Sequence, residues 1–182
     1  MRINTTDKQL HHALTLLGAN KSFAETVELL ESGGTPHDMV RAMAAYPPIL
    51  EAMEILGNGI YPGGALPRAL KELIILQSSI ANSCQFCTHS HIDIARALGM
   101  GEEPAELLAH SEHLPPDQQA ALHFADSIRT DSNKISDAQF DAMHEHFTDP
   151  EIVELTFLVG YINMLNWFNN TLQVQYRGEL AG

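Results

Sequence analysis

Apolar residues recur at three- and four-residue spacings through almost the whole of this 182-residue sequence. No stretch alternates apolar with polar for long enough to suggest a sheet, so the pattern confines the chain to an all-α fold. Hydrophobic residues make up 45% of the chain, enough for a substantial core, and the length suits one domain or one domain with an appended segment. Charged residues are only 18%, which is compatible with surface being covered by self-association. Ten Lys and Arg against 23 Asp and Glu give a formal net charge of −13. An acidic chain with no basic cluster repels phosphate backbones and anionic lipid surfaces, so nucleic acid and membrane are not expected partners.

The start, MRINTTDKQL, lacks the apolar core of a secretory signal. The most apolar stretch, Ile152 to Phe168, is interrupted by Glu154, Thr156, Asn163 and Asn166, and is too short and polar for a membrane span. The expected setting is cytoplasmic.

The periodicity predicts helices over Gln9–Leu17, Ser22–Leu30 and a short one from Thr35-Pro36 to Ala45. Pro47-Pro48 breaks the chain and starts Ile49–Leu56. The segment Gly57-Asn58-Gly59-Ile60-Tyr61-Pro62-Gly63-Gly64 is the densest cluster of turn formers and the best candidate boundary after an N-terminal helical part. Helices then follow from Arg68 to about Ala81, Cys84 to Leu98, Glu103 to Ala109, and Pro115-Pro116 to Ile128. Ser136 with Gln139 forms a capping-box pattern for a helix to Phe147. Thr148-Asp149-Pro150-Glu151 opens the last helix, which is apolar on most sides and is read as the central core helix, a subunit contact, or both.

The only two cysteines stand three residues apart in Ser83-Cys84-Gln85-Phe86-Cys87-Thr88-His89-Ser90-His91. With Ser83 as the cap and Cys84 first in the helix, steps of about 100° put Cys84, Cys87 and His91 on one face and turn His89 away. Free N–H groups and the helix dipole favour a thiolate at Cys84, and a Cys-x-x-Cys pair at a helix start supports reversible disulfide formation. His91, four residues after Cys87, could exchange protons with it. A zinc site would need His89 or a distant residue as fourth ligand, and three ligands on one helix face give a strained tetrahedron. In Leu70-Lys71-Glu72-Leu73-Ile74-Ile75-Leu76, burial of Glu72 would raise its pKa towards neutrality and suit it to relay a proton. Pattern alone favours a plain surface glutamate beside Lys71.

The order Glu72, eleven residues, Cys84, two residues, Cys87, three residues, His91 resembles the signature of the alkylhydroperoxidase D-like branch of the carboxymuconolactone decarboxylase family. Ala95-Arg96-Ala97-Leu98-Gly99-Met100, Ala120-Ala121-Leu122-His123-Phe124-Ala125, Ile152-Val153-Glu154-Leu155-Thr156 and Asn163-Met164-Leu165-Asn166 are similar to it as well. The likeness covers residues 47 to about 175, so the expected division is an N-terminal helical segment, 1–46, and a family domain, 47–182. The resemblance implies an all-helical bundle assembled as a homo-oligomer, commonly a trimer or hexamer. It also implies cysteines that cycle between dithiol and disulfide, with Glu72 and His91 as the proton relay and no cofactor. One departure stands out: Phe86 occupies the position where the prototype branch has a histidine.

The leading expectation is a thiol-dependent peroxidase or disulfide reductase. It would act on an organic hydroperoxide or hydrogen peroxide and be restored by a dithiol, of lipoyl or thioredoxin type. Analogy makes Cys87 the peroxide-reactive thiol and Cys84 the one more open to exchange. Two alternatives stand beside it: acid–base chemistry on a small carboxylate or lactone by Glu72 and His91, and a redox-sensing oligomeric binding protein.

Overall fold

The computed structural model describes residues 1–16 and 24–178 of the chain. Ten α-helices and no strands are found among them. These are α1 (Asp7–Leu16), α2 (Ala24–Glu31), α3 (Asp38–Ala44), α4 (Pro47–Ile60), α5 (Arg68–Ala81), α6 (Gln85–Ala97), α7 (Pro104–Ala109), α8 (Pro116–Asp131), α9 (Asp137–His144) and α10 (Asp149–Leu172). The predicted helix end at Leu17 and start at Ser22 lie outside the described residues. No described helix is long and apolar enough to cross a membrane.

Local chemistry accounts for the helix starts. Ser136 Oγ accepts from Gln139 N while Gln139 Oε1 accepts from Ser136 N, which closes the capping box ahead of α9. Thr148 and Glu151 close a second box ahead of α10, and proline fills the first turn of α4, α7, α8 and α10. The turn-former cluster behaves differently from its sequence reading. Helix α4 continues through Gly57-Asn58-Gly59 to Ile60, and the chain turns only after Tyr61. Gly57 is buried, and a Cβ there would lie 3.5 Å from the Tyr161 hydroxyl of α10, so a small residue suits this helix contact.

The central helix is α5, which packs against α6, α8 and α10. Leu70, Leu73, Ile74, Ile75 and Leu76 are all buried, and so are its polar residues Lys71, Glu72, Ser78 and Ser79. Helix α10 is core on one side only. Ile152, Leu155, Leu158, Val159 and Ile162 are buried, whereas Val153 (66%), Phe157 (52%) and Trp167 (64%) are exposed. It therefore has two apolar faces, one of which no part of the described chain covers. Leu10, Ala13 and Leu14 of α1 and Ala42 and Met43 of α3 enter the same core as α5 and α10.

The loop from Tyr61 to Pro67 is held from within. Lys71, fully buried, forms an ion pair with Glu154 and donates to the carbonyls of Ile60 (2.9 Å) and Gly63. Glu154 Oε2 accepts from the backbone N–H groups of Ala65 (2.6 Å) and Leu66 (3.1 Å). Gly64 has φ +109°, and a Cβ there would collide with the Glu154 carboxylate. One ion pair thus fixes a glycine-rich loop to α5 and α10, and Tyr61 sits at the start of that loop.

Candidate active site

Helix α5 ends at Asn82, and Ser83 then takes a left-handed conformation (φ +53°). That single residue reverses the chain into α6. Cys84 itself is the N-cap of α6, not its first helical residue, and Ser83 is not the cap. Cys84 Sγ accepts from Cys87 N at 3.4 Å. Asparagines tie this turn to α10. Asn82 Nδ2 donates to Asn163 Oδ1 (2.6 Å) and Asn166 Oδ1 (2.9 Å), Asn166 Nδ2 to Ser79 Oγ (3.2 Å), and Asn170 Nδ2 to the Asn82 carbonyl (2.9 Å).

The two sulfurs are in contact at 2.6 Å, with the Cys84 thiol donating to Cys87 Sγ. Asn169 Nδ2 donates to Cys87 Sγ as well, at 3.2 Å. The hydrogen bond to Cys87 and burial push the Cys84 thiol far up. The same hydrogen bond holds the Cys87 thiol below its usual range, outweighing burial, with Asn169 adding to it. The hydrogen bonds from Cys84 and Asn169 thus favour thiolate at Cys87 rather than at Cys84, where the helix start alone would place it. Cys84 is also no more open to exchange than Cys87: it is fully buried, and Cys87 is 3% exposed.

Glu72, in the middle of α5, is fully buried, so the surface reading fails. Its Oε1 accepts from Arg68 Nε (2.6 Å) and the Tyr61 hydroxyl (2.8 Å), and its Oε2 lies 2.7 Å from His91 Nδ1. Arg68 Nη2 donates to the Tyr61 oxygen at 2.6 Å, and the guanidinium lies 4.0 Å from the centre of the Tyr61 ring. Burial alone would raise the Glu72 pKa, as its sequence setting suggests. The His91 hydrogen bond and charge, followed by Tyr61 and Arg68, outweigh burial and hold the carboxyl below its ordinary range. Glu72 is therefore an anion at neutral pH, not a raised acid. Tyr61 is pushed up by burial and then by the Glu72 charge, and stays a neutral phenol.

An ionised carboxylate only accepts, so His91 Nδ1 carries a proton and its Nε2 is the nitrogen left for other work. No hydrogen bond joins His91 to either cysteine. The two residues meet instead as walls of one cavity of about 190 Å³. Phe86, Ile94, Ile162 and Leu165 make it apolar, Tyr61, Ser90 and Asn169 add polar atoms, and His37, Met39 and Val40 close it from the N-terminal part. No Lys or Arg is among the described residues lining it. His89 faces elsewhere, stacked on Tyr176 with ring centres 6.5 Å apart. Among the described residues the only three with ligand atoms mutually within 4.8 Å are His110, Glu112 and His113, on the surface. The zinc set considered from sequence is not brought together.

Sequence reasoning passed over Tyr61, Arg68 and Asn169. Two of these left a signal: Arg68 stands four residues before Glu72, a helical neighbour, and Asn163, Asn166 and Asn169 repeat every three residues along an otherwise apolar helix. Tyr61 left none, because a loop decides where it points.

A depressed Glu72 pKa makes a stability claim with a definite sign. The contribution is fully present above the ordinary glutamate value of 4.5 and is lost as pH falls through the lower folded value. Glu72→Gln is thus expected to destabilise the fold by about 1–3 kcal/mol at pH 7, leaving Arg68 without its carboxylate partner. The difference from the parent protein should shrink as pH falls below 4.5. Urea midpoints measured from pH 7 to pH 3 check this, and a gap that widens on acidification would contradict it.

The described residues thus form an all-helical bundle in which a paired-cysteine turn and a buried Glu–His pair meet at one cavity. Residues 47–126 match the model of the carboxymuconolactone decarboxylase family. A peroxidase-related protein from Ralstonia eutropha, described as an alkylhydroperoxidase AhpD core, superposes with a TM-score of 0.78 at 23% identity, over 98% of this chain and 93% of its own. A protein of unknown function from Agrobacterium tumefaciens has a TM-score of 0.67 at 28% identity, over 74% of this chain and 94% of its own. The protein YdfG of Bacillus subtilis is 27% identical over 106 residues, 56% of this chain and 72% of its own length.

Proposed function

We propose that the chain is a thiol peroxidase that reduces small organic hydroperoxides with Cys87 and Cys84. The observation that carries this reading is the position of Cys87: its sulfur receives two hydrogen bonds at the wall of an apolar cavity shared with His91. The Cys87 thiolate attacks the terminal oxygen of the hydroperoxide. An S–O bond forms, the O–O bond breaks, and the departing alkoxide takes a proton, with His91 as the donor and Glu72 steadying the charged ring. Cys84 then attacks the sulfenic sulfur, closing the disulfide and releasing the oxygen as water. Two thiols and one hydroperoxide thus give one disulfide, one alcohol and one water. An external dithiol, of lipoyl or thioredoxin type, restores the pair by exchange.

A carboxylate or lactone substrate fits the cavity less well, because no Lys or Arg among the described residues lines it and Arg68 is occupied by Glu72 and Tyr61. The uncovered apolar face of α10 borders a groove of about 590 Å³ lined by Phe140, Val153, Phe157 and Met164, distant in character from the thiol chemistry. We assign that face to the contact of a homo-oligomer, a trimer or hexamer, in the cytoplasm. The test of the function is a free-thiol count before and after one equivalent of tert-butyl hydroperoxide at neutral pH. Two thiols should disappear together and return with dithiothreitol; an unchanged count overturns the proposal.

A further inference from the structure

A thiolate buried in an apolar cavity must be stabilised by donors within hydrogen-bond reach, since solvent does not supply them. Several candidates for Cys87 drop out on geometry. Phe86, the preceding residue, is apolar and packs edge-on to Tyr176 at 6.0 Å. His91 Nδ1 is turned to Glu72. The Cys87 backbone N–H is given to Cys84 Sγ. Titratable groups facing the sulfur are Cys84 beside it, His91 one turn along α6, and His37 and Tyr61 across the cavity, with Glu72 behind His91 on α5. The side chains that hydrogen-bond the sulfur directly are the Cys84 thiol and the Asn169 amide; the Asn166 amide, given to Ser79 Oγ, contributes less. Cys84 gives up its proton when it closes the disulfide. Asn169 is the donor present at every stage of the cycle.

We propose that Asn169 is a catalytic residue, its side-chain amide holding Cys87 as the reactive thiolate where no Lys or Arg among the described residues does so. Three observations carry this. Nδ2 touches the reacting sulfur at 3.2 Å. Its other neighbour at 3.7 Å is Met39 Sδ, also an acceptor, so exchanging O and N of the amide would aim a carbonyl at two sulfur lone pairs. Asn169 is 2% exposed, yet its Oδ1 has no partner, a cost that an asparagine serving only the fold would avoid. The helix supports the aim: Asn163 and Asn166, six and three residues earlier, are tied to Asn82, so the amide approaches the sulfur from an anchored α10.

The inference rests on Cys87 being the peroxide-reactive thiol, and its test uses alkylation, which needs no peroxide, so the two readings fail separately. In a Cys84→Ser background Cys87 is the only thiol, and its rate of reaction with iodoacetamide, small and uncharged, is followed from pH 5 to pH 10. Asn169→Ala is expected to move the midpoint up by about one to two units and to slow alkylation at pH 7 by about 10- to 100-fold. The rate at high pH, where the thiol is fully ionised, should stay within about twofold. Asn169→Asp keeps the shape but offers an acceptor instead of a donor, so its midpoint should rise at least as far; this variant carries the test if the alanine variant does not fold. An unmoved midpoint, or a slowing that is the same at every pH, would make Asn169 only a wall of the cavity and overturn the proposal.

Discussion

Cys87→Ser is expected to abolish hydroperoxide consumption, with turnover falling by about 10³-fold or more, while Cys84→Ser still completes the first chemical step. The asymmetry follows from the hydrogen bonding. Cys87 receives donors from Cys84 and Asn169 and lines the cavity, whereas Cys84 donates its own proton and is fully buried. Cys84→Ser should therefore accept one equivalent of hydroperoxide and stop as a sulfenic acid on Cys87, which dimedone traps as an adduct seen by mass spectrometry. Steady-state consumption with a dithiol should be lost in both variants, but the adduct should form only where Cys87 remains. An adduct on Cys84 in the Cys87→Ser variant would reverse the roles. Retained turnover of some other substrate in both variants would point to acid–base chemistry by Glu72 and His91. A change in oligomer size alone would point to a redox sensor.

The chain shows where sequence reading succeeds and where it stops. Helix α10 was legible because its start is written locally: Thr148, Pro150 and Glu151 specify cap, first turn and reciprocal hydrogen bonds within four residues. The meeting of Glu72 with His91 was legible only through family spacing, because nineteen residues and a helix reversal at Ser83 separate them. The charge state of Glu72 was not legible. Its apolar neighbours on α5 argue for a raised pKa, and the groups that reverse the sign come from Arg68 one turn away, Tyr61 in the preceding loop and His91 on the next helix. The direction of the thiol asymmetry was hidden for the same reason. A helix start favours the cap cysteine in isolation, but Asn169 reaches the other one from a helix more than eighty residues later. Local rules describe what each element offers; the packed neighbours decide which offer is taken.

Lys71→Met is expected to destabilise the protein by about 3–5 kcal/mol, the loss typical when one partner of a buried ion pair is removed. The size comes from what the substitution leaves behind. Glu154 is 9% exposed, and without the ammonium its carboxylate keeps only the Ala65 and Leu66 N–H groups. The carbonyls of Ile60 and Gly63 lose their donor in the same step. Methionine matches the length of the lysine stem, so little of the effect comes from a cavity. The loop carries Tyr61 into the Arg68–Glu72–His91 cluster, so the damage should extend to the site. Peroxide consumption is expected to fall even at temperatures where the variant remains folded. Glu154→Gln should be milder, since the amide oxygen can still accept from the loop and from Lys71, although the ammonium is then buried without a counter-charge. Urea unfolding followed by circular dichroism measures both. A loss below about 1 kcal/mol for Lys71→Met would put the pair in the range of a surface salt bridge, and the loop would have to be held by its own turn chemistry.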